Sequence, residues 1–226
     1  MNRILLILFF IPSLAFGQTE IWRKFPANHD ETPQWGANRT NHIQGFLGFG
    51  LYTPIAVTSI DYIFGKSWDI SLGFLYKYRI SNFLNVGSSF SLIYQKVSLN
   101  NDGMVKAWDN QIHGKAKLSN YLISTKPLIR FNLSPKRGDY LGTYIDVGCF
   151  GSLNFLPTTS FTDEQNGQEY IQKYKRDKLQ RQLQYGGMAA IGRDWFRLES
   201  CYYVSDWIKE DGFNLPRLSI SVMLGF

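Results

Sequence analysis

The segment Trp68–Ile80, WDISLGFLYKYRI, decides the fold because its side chains alternate between two unlike faces along its whole length. The apolar face carries Trp68, Ile70, Leu72, Phe74, Tyr76, Tyr78 and Ile80. The other face is small, polar or charged, with Asp69, Ser71, Gly73, Lys77 and Arg79, and only Leu75 interrupts it. Alternation with a period of two predicts a β-strand that separates two different environments.

The same alternation recurs in seven further segments: Gln44–Thr53, Leu84–Gln95, Tyr121–Asn132, Leu141–Cys149, Leu183–Gly192, Phe196–Val204 and Leu218–Phe226. Aromatic residues lie near the strand ends, and the predicted connections are alternately short and long, which is the layout of outer-membrane barrels. We therefore predict an all-β fold, an eight-stranded antiparallel transmembrane β-barrel with up-and-down meander topology. The alternative is a periplasmic sandwich or lipocalin-like barrel, which would also alternate.

Composition and the N-terminus narrow the class of protein. Aromatic residues make up 16% and charged residues 19%, which excludes a disordered chain, and two cysteines exclude a disulfide-rich scaffold. The formal net charge of +6 suits nucleic acid or anionic lipid, or it has no bearing on the partner. A basic start, the apolar run Ile4–Ile11 and the small residues Ala15 and Gly17 predict a secretory signal peptide over residues 1–17. Export argues against a nucleic-acid partner.

The domain prediction follows from these segments. Residues 1–17 are the signal peptide, 18–42 a periplasmic N-terminal segment, and 43–226 the outer-membrane β-barrel. Residues 18–42 contain Trp22, Trp35, Pro26 and Pro33 without a clear period, so they form either a flexible tail or a peptide that docks on other outer-membrane or periplasmic proteins. Short turns face the periplasm in such barrels, so we expect a bacterial outer-membrane location with both termini periplasmic.

The inward faces of the predicted strands carry nine charged side chains: Asp69, Lys77, Arg79, Lys126, Arg130, Asp146, Arg197, Glu199 and Arg217. A narrow lumen forces such charges to pair or to reach water at the rims. We predict an interior charge network of Asp146, Arg130, Arg197, Glu199 and Arg217. Glu199 is expected to be its central acid, in contact with Arg197 on its own strand and Arg217 on the next.

A basic run beside the sixth predicted strand contains Lys173, Lys175, Arg176, Lys178 and Arg181. These side chains are either a solvated loop arm or a contact for phosphorylated outer-leaflet glycolipid, that is, outer-membrane lipid and lipopolysaccharide.

Catalytic, metal and cofactor chemistry has little support in the sequence. His113 lies four residues after Asp109 in a predicted outer loop, and this pair is the nearest approach to a general base with an orienting carboxylate. Two solvated loop residues explain it better, so we predict no catalytic, metal or cofactor site. Cys149 is expected to face lipid and Cys201 the lumen, which excludes a disulfide between them.

Four stretches resemble the PorT-like outer-membrane β-barrel family: Tyr121–Phe131 with its internal Pro127-Leu128, Tyr140–Gly148, Tyr185–Met188, and Leu218–Phe226 with its terminal aromatic. The chain departs from the family at Ser124-Thr125, where an acidic residue is more usual before the proline. The resemblance implies an eight-stranded barrel in a Bacteroidota outer membrane, and some family members are implicated in type IX secretion. It carries over no catalytic residue.

The leading hypothesis for function is a non-enzymatic small barrel that serves as an accessory or structural subunit of an outer-membrane assembly, such as a secretion or biogenesis complex. The alternatives are a lipid-modifying outer-membrane enzyme and a small passive pore.

Overall fold

The computed structural model of the chain describes residues 34–53, 65–100, 115–134, 140–165, 168–178, 180–209 and 215–226. The described residues belong to one compact unit that begins at Gln34. The predicted signal peptide and residues 18–33 of the N-terminal segment lie outside this part of the chain. Among the described residues, no helix has the length and apolar character to cross a membrane.

Within the described ranges the chain forms ten strands: β1 Asn41–Thr53, β2 Trp68–Arg79, β3 Leu84–Asn100, β4 Lys115–Asn132, β5 Thr143–Asn154, β6 Thr158–Gln165, β7 Gln168–Lys175, β8 Leu183–Arg193, β9 Phe196–Tyr203 and β10 Leu218–Gly225. Eight of them close into an antiparallel barrel in the order β1-β2-β3-β4-β5-β8-β9-β10. The predicted fold class is confirmed, because each of the eight segments predicted from alternation contributes one barrel strand.

The first and last strands close the barrel directly. β1 pairs with β10 from Phe46 opposite Gly225 to Thr53 opposite Leu218. Beyond that ladder, Gly45 donates its amide to the carbonyl of Phe226 at 3.1 Å, and Phe226 donates to the carbonyl of Gly45 at 2.9 Å. The barrel therefore has no open edge at its seam. The backbone N–H and C=O groups there form hydrogen bonds that lipid could not provide.

The barrel exterior is an apolar belt between two aromatic rings. The belt includes Leu47, Ile70, Leu72, Phe74, Phe90, Leu92, Ile123, Ile129, Val147 and Val222, all exposed. Near the long loops, adjacent rings of Trp68, Tyr94, Tyr121 and Phe155 lie 5.6, 5.0 and 6.3 Å apart in that order. Aromatic side chains at the turn end include Tyr78, Phe83, Phe131, Tyr140, Trp195 and Phe226.

The height of this belt matches a membrane. On β4, Tyr121 and Phe131 mark its two borders, and ten residues at about 3.3 Å each span roughly 33 Å along the strand. A strand tilt of about 40° reduces that to about 25 Å, the apolar height of transmembrane barrels. The alternation detected in the sequence thus separates lipid outside from a polar lumen inside.

Beyond Tyr94 and Tyr121 the polarity of β3 and β4 reverses. In this part Val97, Leu99 and Leu118 are buried, while Lys115 and Lys117 are exposed. β6 pairs with Lys115–Ser119 of β4, and β7 pairs with β6. We call residues 96–100, 115–120, β6 and β7 the extension. It stands outside the membrane belt, so water contacts its outer face.

The extension differs from the sequence prediction. The sequence predicts only a connection between the strand segments Leu141–Cys149 and Leu183–Gly192, but the structure has the β6–β7 hairpin there. Strands β3 and β4 also run several residues further than their alternation indicated. The prediction about the cysteines is confirmed: Cys149 is exposed on the outer face, Cys201 is buried inside, and both are free.

Candidate functional site

Five charged side chains from three strands meet inside the barrel, and we call them the charge network: Lys126 and Arg130 of β4, Asp146 of β5, and Arg197 and Glu199 of β9. Arg130 binds both carboxylate oxygens of Asp146 through Nε and Nη2, at 2.7 and 2.8 Å. Arg197 joins the two acids, with Nη1 2.9 Å from Asp146 and Nη2 2.8 Å from Glu199. Lys126 donates to the other oxygen of Glu199. All five are at most 6% exposed.

Small residues on β8 make this network possible. β8 lies between β5 and β9, and Ala190 is opposite both Asp146 and Glu199. Gly192 leaves room for Tyr144, because a Cβ at Gly192 would lie 2.4 Å from the Cζ of that ring. The same ring lies under the guanidinium of Arg130, with 3.6 Å between Cζ of Arg130 and the ring centroid. The small inward residues Ala190 and Gly192 of β8 therefore let β5 and β9 interact across that strand.

The remaining inward basic residues lie at the rims. There they donate hydrogen bonds to backbone carbonyls or pair with a partly exposed acid. At the turn end, Lys77 Nζ donates to the carbonyl of Ala37 at 2.8 Å, and Arg79 Nη1 donates to that of Asn38 at 2.7 Å.

Asp69, the third acid of the predicted set, lines a cavity of about 10 Å³ together with Lys126. Three acids thus share the interior with Lys126, Arg130 and Arg197.

Arg217 lies outside the charge network, which corrects the predicted contact with Glu199. Its guanidinium pairs with Asp206 at 2.8 Å near the long loops, and both side chains are partly exposed. The residue of β10 opposite Glu199 is Ser221. Arg217 is four residues further along, about 13 Å at the rise of a β-strand. Sequence parity placed Arg217 on the correct face but at the wrong height.

An aromatic cluster occupies the lumen on the long-loop side of the network. The rings of Tyr52 and Trp207 are 5.2 Å apart, those of Tyr203 and Trp207 are 5.3 Å apart, and those of Phe150 and Tyr203 are 4.9 Å apart. A cavity of about 20 Å³ touches Arg197 and Glu199 on the turn side. It has room for about one or two waters, since one water needs about 10–15 Å³. Side chains thus fill the described interior.

Residues 34–40, which we call the rim segment, fold back onto the turn end of the barrel. Asn41 donates its amide to the carbonyl of Gln34 at 2.8 Å, and Gly36 donates to that of Asn41 at 2.9 Å. Lys77 and Arg79 hold Ala37 and Asn38 as described above. β1 itself begins at Asn41, two residues before the boundary expected from the sequence. The rim segment therefore lies against the start of β1 and the end of β2.

Only part of the predicted basic run comes together. Arg176 and Lys178 line a cavity of about 150 Å³, and Lys209, which sequence reasoning missed, is a third basic residue on its wall. Arg181 is engaged elsewhere, with Nε 3.3 Å from the carbonyl oxygen of Ile208. Lys173 and Lys175 are exposed on β7, away from this cavity.

Lys209 reaches the cavity through a contact between two different loops. The isolated antiparallel bridge between Gln180 and Ile208 brings the chain after β9 beside the chain after β7. Nothing in the local sequence around Lys209 indicates that contact. His113 and Asp109, the pair considered for catalysis, lie outside the described residues.

Similarity to known proteins is found among solved structures, not among family models or curated sequences. No family model and no curated protein sequence matches the chain. Among solved structures it is similar to the attachment invasion locus protein Ail of Yersinia pestis, with 16% identity, a TM-score of 0.35, and coverage of 82% of this chain and 95% of Ail. A structure of Ail with the heparin analogue sucrose octasulfate gives 16% identity, a TM-score of 0.33 and coverage of 81% and 94%. At these scores the similarity supports no functional argument.

Proposed function

We propose that this protein is a non-enzymatic outer-membrane barrel that anchors a larger assembly, such as a secretion or biogenesis complex, as an accessory or structural subunit. Its N-terminal segment is the part that contacts the partner. In this proposal the short turns and both termini face the periplasm, as in other outer-membrane barrels. The resemblance to the PorT-like family adds a Bacteroidota outer membrane and type IX secretion to the proposal as the assembly to examine first.

The observation that carries the proposal is the rim segment. The ammonium group of buried Lys77 donates to a backbone carbonyl of that segment, and the guanidinium of Arg79, two residues further along β2, donates to the next carbonyl. Hydrogen bonds from charged donors are worth about 1.5–3 kcal/mol. The barrel thus holds Ala37 and Asn38 of the rim segment in one place at its turn end. A packed, rigid barrel that fixes a Trp-containing segment suits an anchor.

The deciding experiment compares the full chain with a variant that lacks residues 20–33 and keeps the signal peptide. Both carry an affinity tag inserted between β3 and β4, so that neither terminus is altered. Each is expressed in its own host, extracted in mild detergent and purified, and co-purifying proteins are quantified by mass spectrometry. We expect a stoichiometric partner with the full chain and at least a tenfold loss of it with the deletion.

Folding controls make the comparison interpretable. Both chains should reach the outer membrane in equal amounts, because the rim segment and all eight barrel strands are retained. Equal recovery of the same partners by both chains would contradict a role for the N-terminal segment. Recovery of the full chain without any stoichiometric partner would contradict the accessory role altogether.

The filled interior bears on the passive-pore alternative. An open channel would have to cross the charge network and then the aromatic cluster, and an eight-stranded barrel has an interior just wide enough for side chains. We therefore expect purified protein to produce no steady conductance in planar bilayers. Stable ohmic steps that scale with salt concentration would favour the pore.

A further inference from the structure

We propose that the cavity of about 150 Å³ beside the β6–β7 hairpin is a binding site for a phosphate monoester group. Its lining residues are Phe155, Pro157, Arg176, Asp177, Lys178, Gln180, Gln182 and Lys209. This site lies at the opposite end of the barrel from the rim segment, and it does not depend on the anchoring role.

Charge is the first reason for this assignment. Arg176, Lys178 and Lys209 are exposed side chains that line one cavity, and a bound anion would favour their charged forms. Among the described residues that line the cavity, Asp177 is the single acid, and its Oδ2 accepts a hydrogen bond from the hydroxyl of Thr159 at 2.5 Å. The described lining thus carries three basic side chains and one acidic one. Arginine and lysine donors in this arrangement suit the oxygens of a phosphate.

Hydrogen bonds hold the wall of the cavity in place. Gln180 is buried and donates from Nε2 to the Thr159 hydroxyl at 2.9 Å, and the Asp177 amide donates to the carbonyl of Pro157 at 3.1 Å. Arg176 has a positive φ of 55°, a conformation that costs a non-glycine residue free energy and that is concentrated at binding sites. This turn ends β7 and brings Arg176 and Lys178 to the same cavity.

The size of the cavity and its height on the barrel suit a phosphate carried by a lipid headgroup. The volume exceeds the roughly 10–15 Å³ that one water needs by about tenfold. Phe155 on the wall contacts Tyr121, with ring centroids 6.3 Å apart, so the cavity lies at the aromatic border of the membrane belt. Headgroup phosphates of an outer-leaflet glycolipid lie at this level. A small soluble phosphate ester from outside would present the same chemistry.

The test uses the purified full chain in zwitterionic detergent and three probes. These are bisphosphorylated lipid A, the same lipid without its phosphates, and soluble glucose 6-phosphate as a competitor. Native mass spectrometry measures the bound fraction at a series of lipid concentrations. We expect the phosphorylated lipid to bind at least tenfold more tightly than the dephosphorylated lipid.

Two matched triple variants separate the site from general charge. Arg176→Gln, Lys178→Gln and Lys209→Gln together should abolish the tenfold preference for the phosphorylated lipid. Lys117→Gln, Lys173→Gln and Lys175→Gln remove the same charge from the exposed extension and should leave the preference within twofold of wild type. Both variants should keep the gel mobility of the folded barrel, because none of these side chains lies within the barrel interior.

The competitor distinguishes the two sources. If lipid A binds with the stated preference and millimolar glucose 6-phosphate does not displace it, the ligand is the glycolipid. If glucose 6-phosphate binds the wild type but not the cavity variant, and lipid A shows no preference, the ligand is a soluble phosphate ester. The proposal is overturned if neither phosphorylated probe distinguishes wild type from the cavity variant, or if the extension variant loses binding equally.

Discussion

Strand β4 crosses two regions of this molecule, the membrane belt and the extension. Apolar side chains lie on opposite faces of the strand in these two regions. Within the membrane belt, Ile123 is half exposed on the outer face and Ser124 is fully buried in the lumen. Within the extension, Lys117 is exposed and Leu118 is buried. The same strand is apolar outside in one region and apolar inside in the other, and Tyr121 marks the change. The comparison teaches that lipid or water on the outer face, rather than a fixed inside-outside pattern, decides where apolar residues lie.

The largest expected effect lies in the belt interior. Asp146→Ala should destabilise the barrel by about 4 kcal/mol, because it leaves the buried guanidiniums of Arg130 and Arg197 without their shared partner. Asp146→Asn should cost nearly as much, since the charge is lost although the shape is kept. Urea unfolding in lipid vesicles, followed by tryptophan fluorescence, measures both changes. A loss below about 1 kcal/mol for Asp146→Ala would show that water or another group neutralises these arginines.

The second change removes the carboxylate of Glu199, the other acid of the charge network. Glu199→Ala should cost about 3 kcal/mol, since Lys126 and Arg197 both lose their contact with its carboxylate. Arg217→Gln is the matched control, because its pair with Asp206 is partly exposed and such pairs contribute about 0–1 kcal/mol. Equal unfolding midpoints for wild type and Glu199→Ala, or a larger effect of Arg217→Gln, would contradict the assignment of Glu199 to the network.

The third change tests the outer face. Leu72 is 54% exposed near the middle of the belt, between Trp68 and Tyr78 on β2. Leu72→Lys should cost about 2–4 kcal/mol, as lysine does at the bilayer midplane on a barrel exterior. Ser119→Lys places the same side chain on the outer face of the extension and should change stability by about 0.5 kcal/mol or less. If the two substitutions have the same effect in vesicles, the belt does not contact lipid.

The smallest effect on the barrel itself should come from the inner face of the extension. Leu118 is 1% exposed and belongs to the apolar cluster that includes Val97, Leu99 and Phe161. Leu118→Ala should cost about 2 kcal/mol locally through the cavity it leaves. Because the extension stands outside the belt, protease cleavage of the β6–β7 hairpin should accelerate about thirtyfold while the unfolding midpoint of the barrel stays unchanged. A shift of the whole barrel midpoint would show that both regions unfold together.

The sequence predicted the belt well, because lipid outside and a polar lumen inside impose alternation on every barrel strand. It missed the β6–β7 hairpin because the described side chains of β7, residues 170–175, are exposed on both faces and include polar residues such as Gln172 and Lys173. No period of two arises where both sides of a strand meet water. The extended end of β4 alternates as well, but with the opposite polarity, so a search for apolar residues on the lipid face could not detect it.

The positions of the interior charges could also be predicted only in part from the sequence. Parity along each strand identifies Glu199 and Arg217 as inward residues, but the height of one strand against another depends on pairing register, which parity does not contain. The register places Ser221 opposite Glu199 and sends Arg217 to the rim. The cavity near Lys209 depends in turn on a contact between two loops. Long-range contacts of this kind leave no local pattern in the sequence.

Heat-modifiability in a detergent gel tests the central claim most directly, namely that the chain is a closed barrel with its backbone hydrogen bonds satisfied in lipid. Unboiled protein should run as a compact band that shifts to the mobility expected of the unfolded 26.1 kDa chain, less its signal peptide, only after boiling. Its circular dichroism spectrum before boiling should be that of β-structure. Identical mobility with and without boiling, together with a mainly helical spectrum, would contradict the closed barrel.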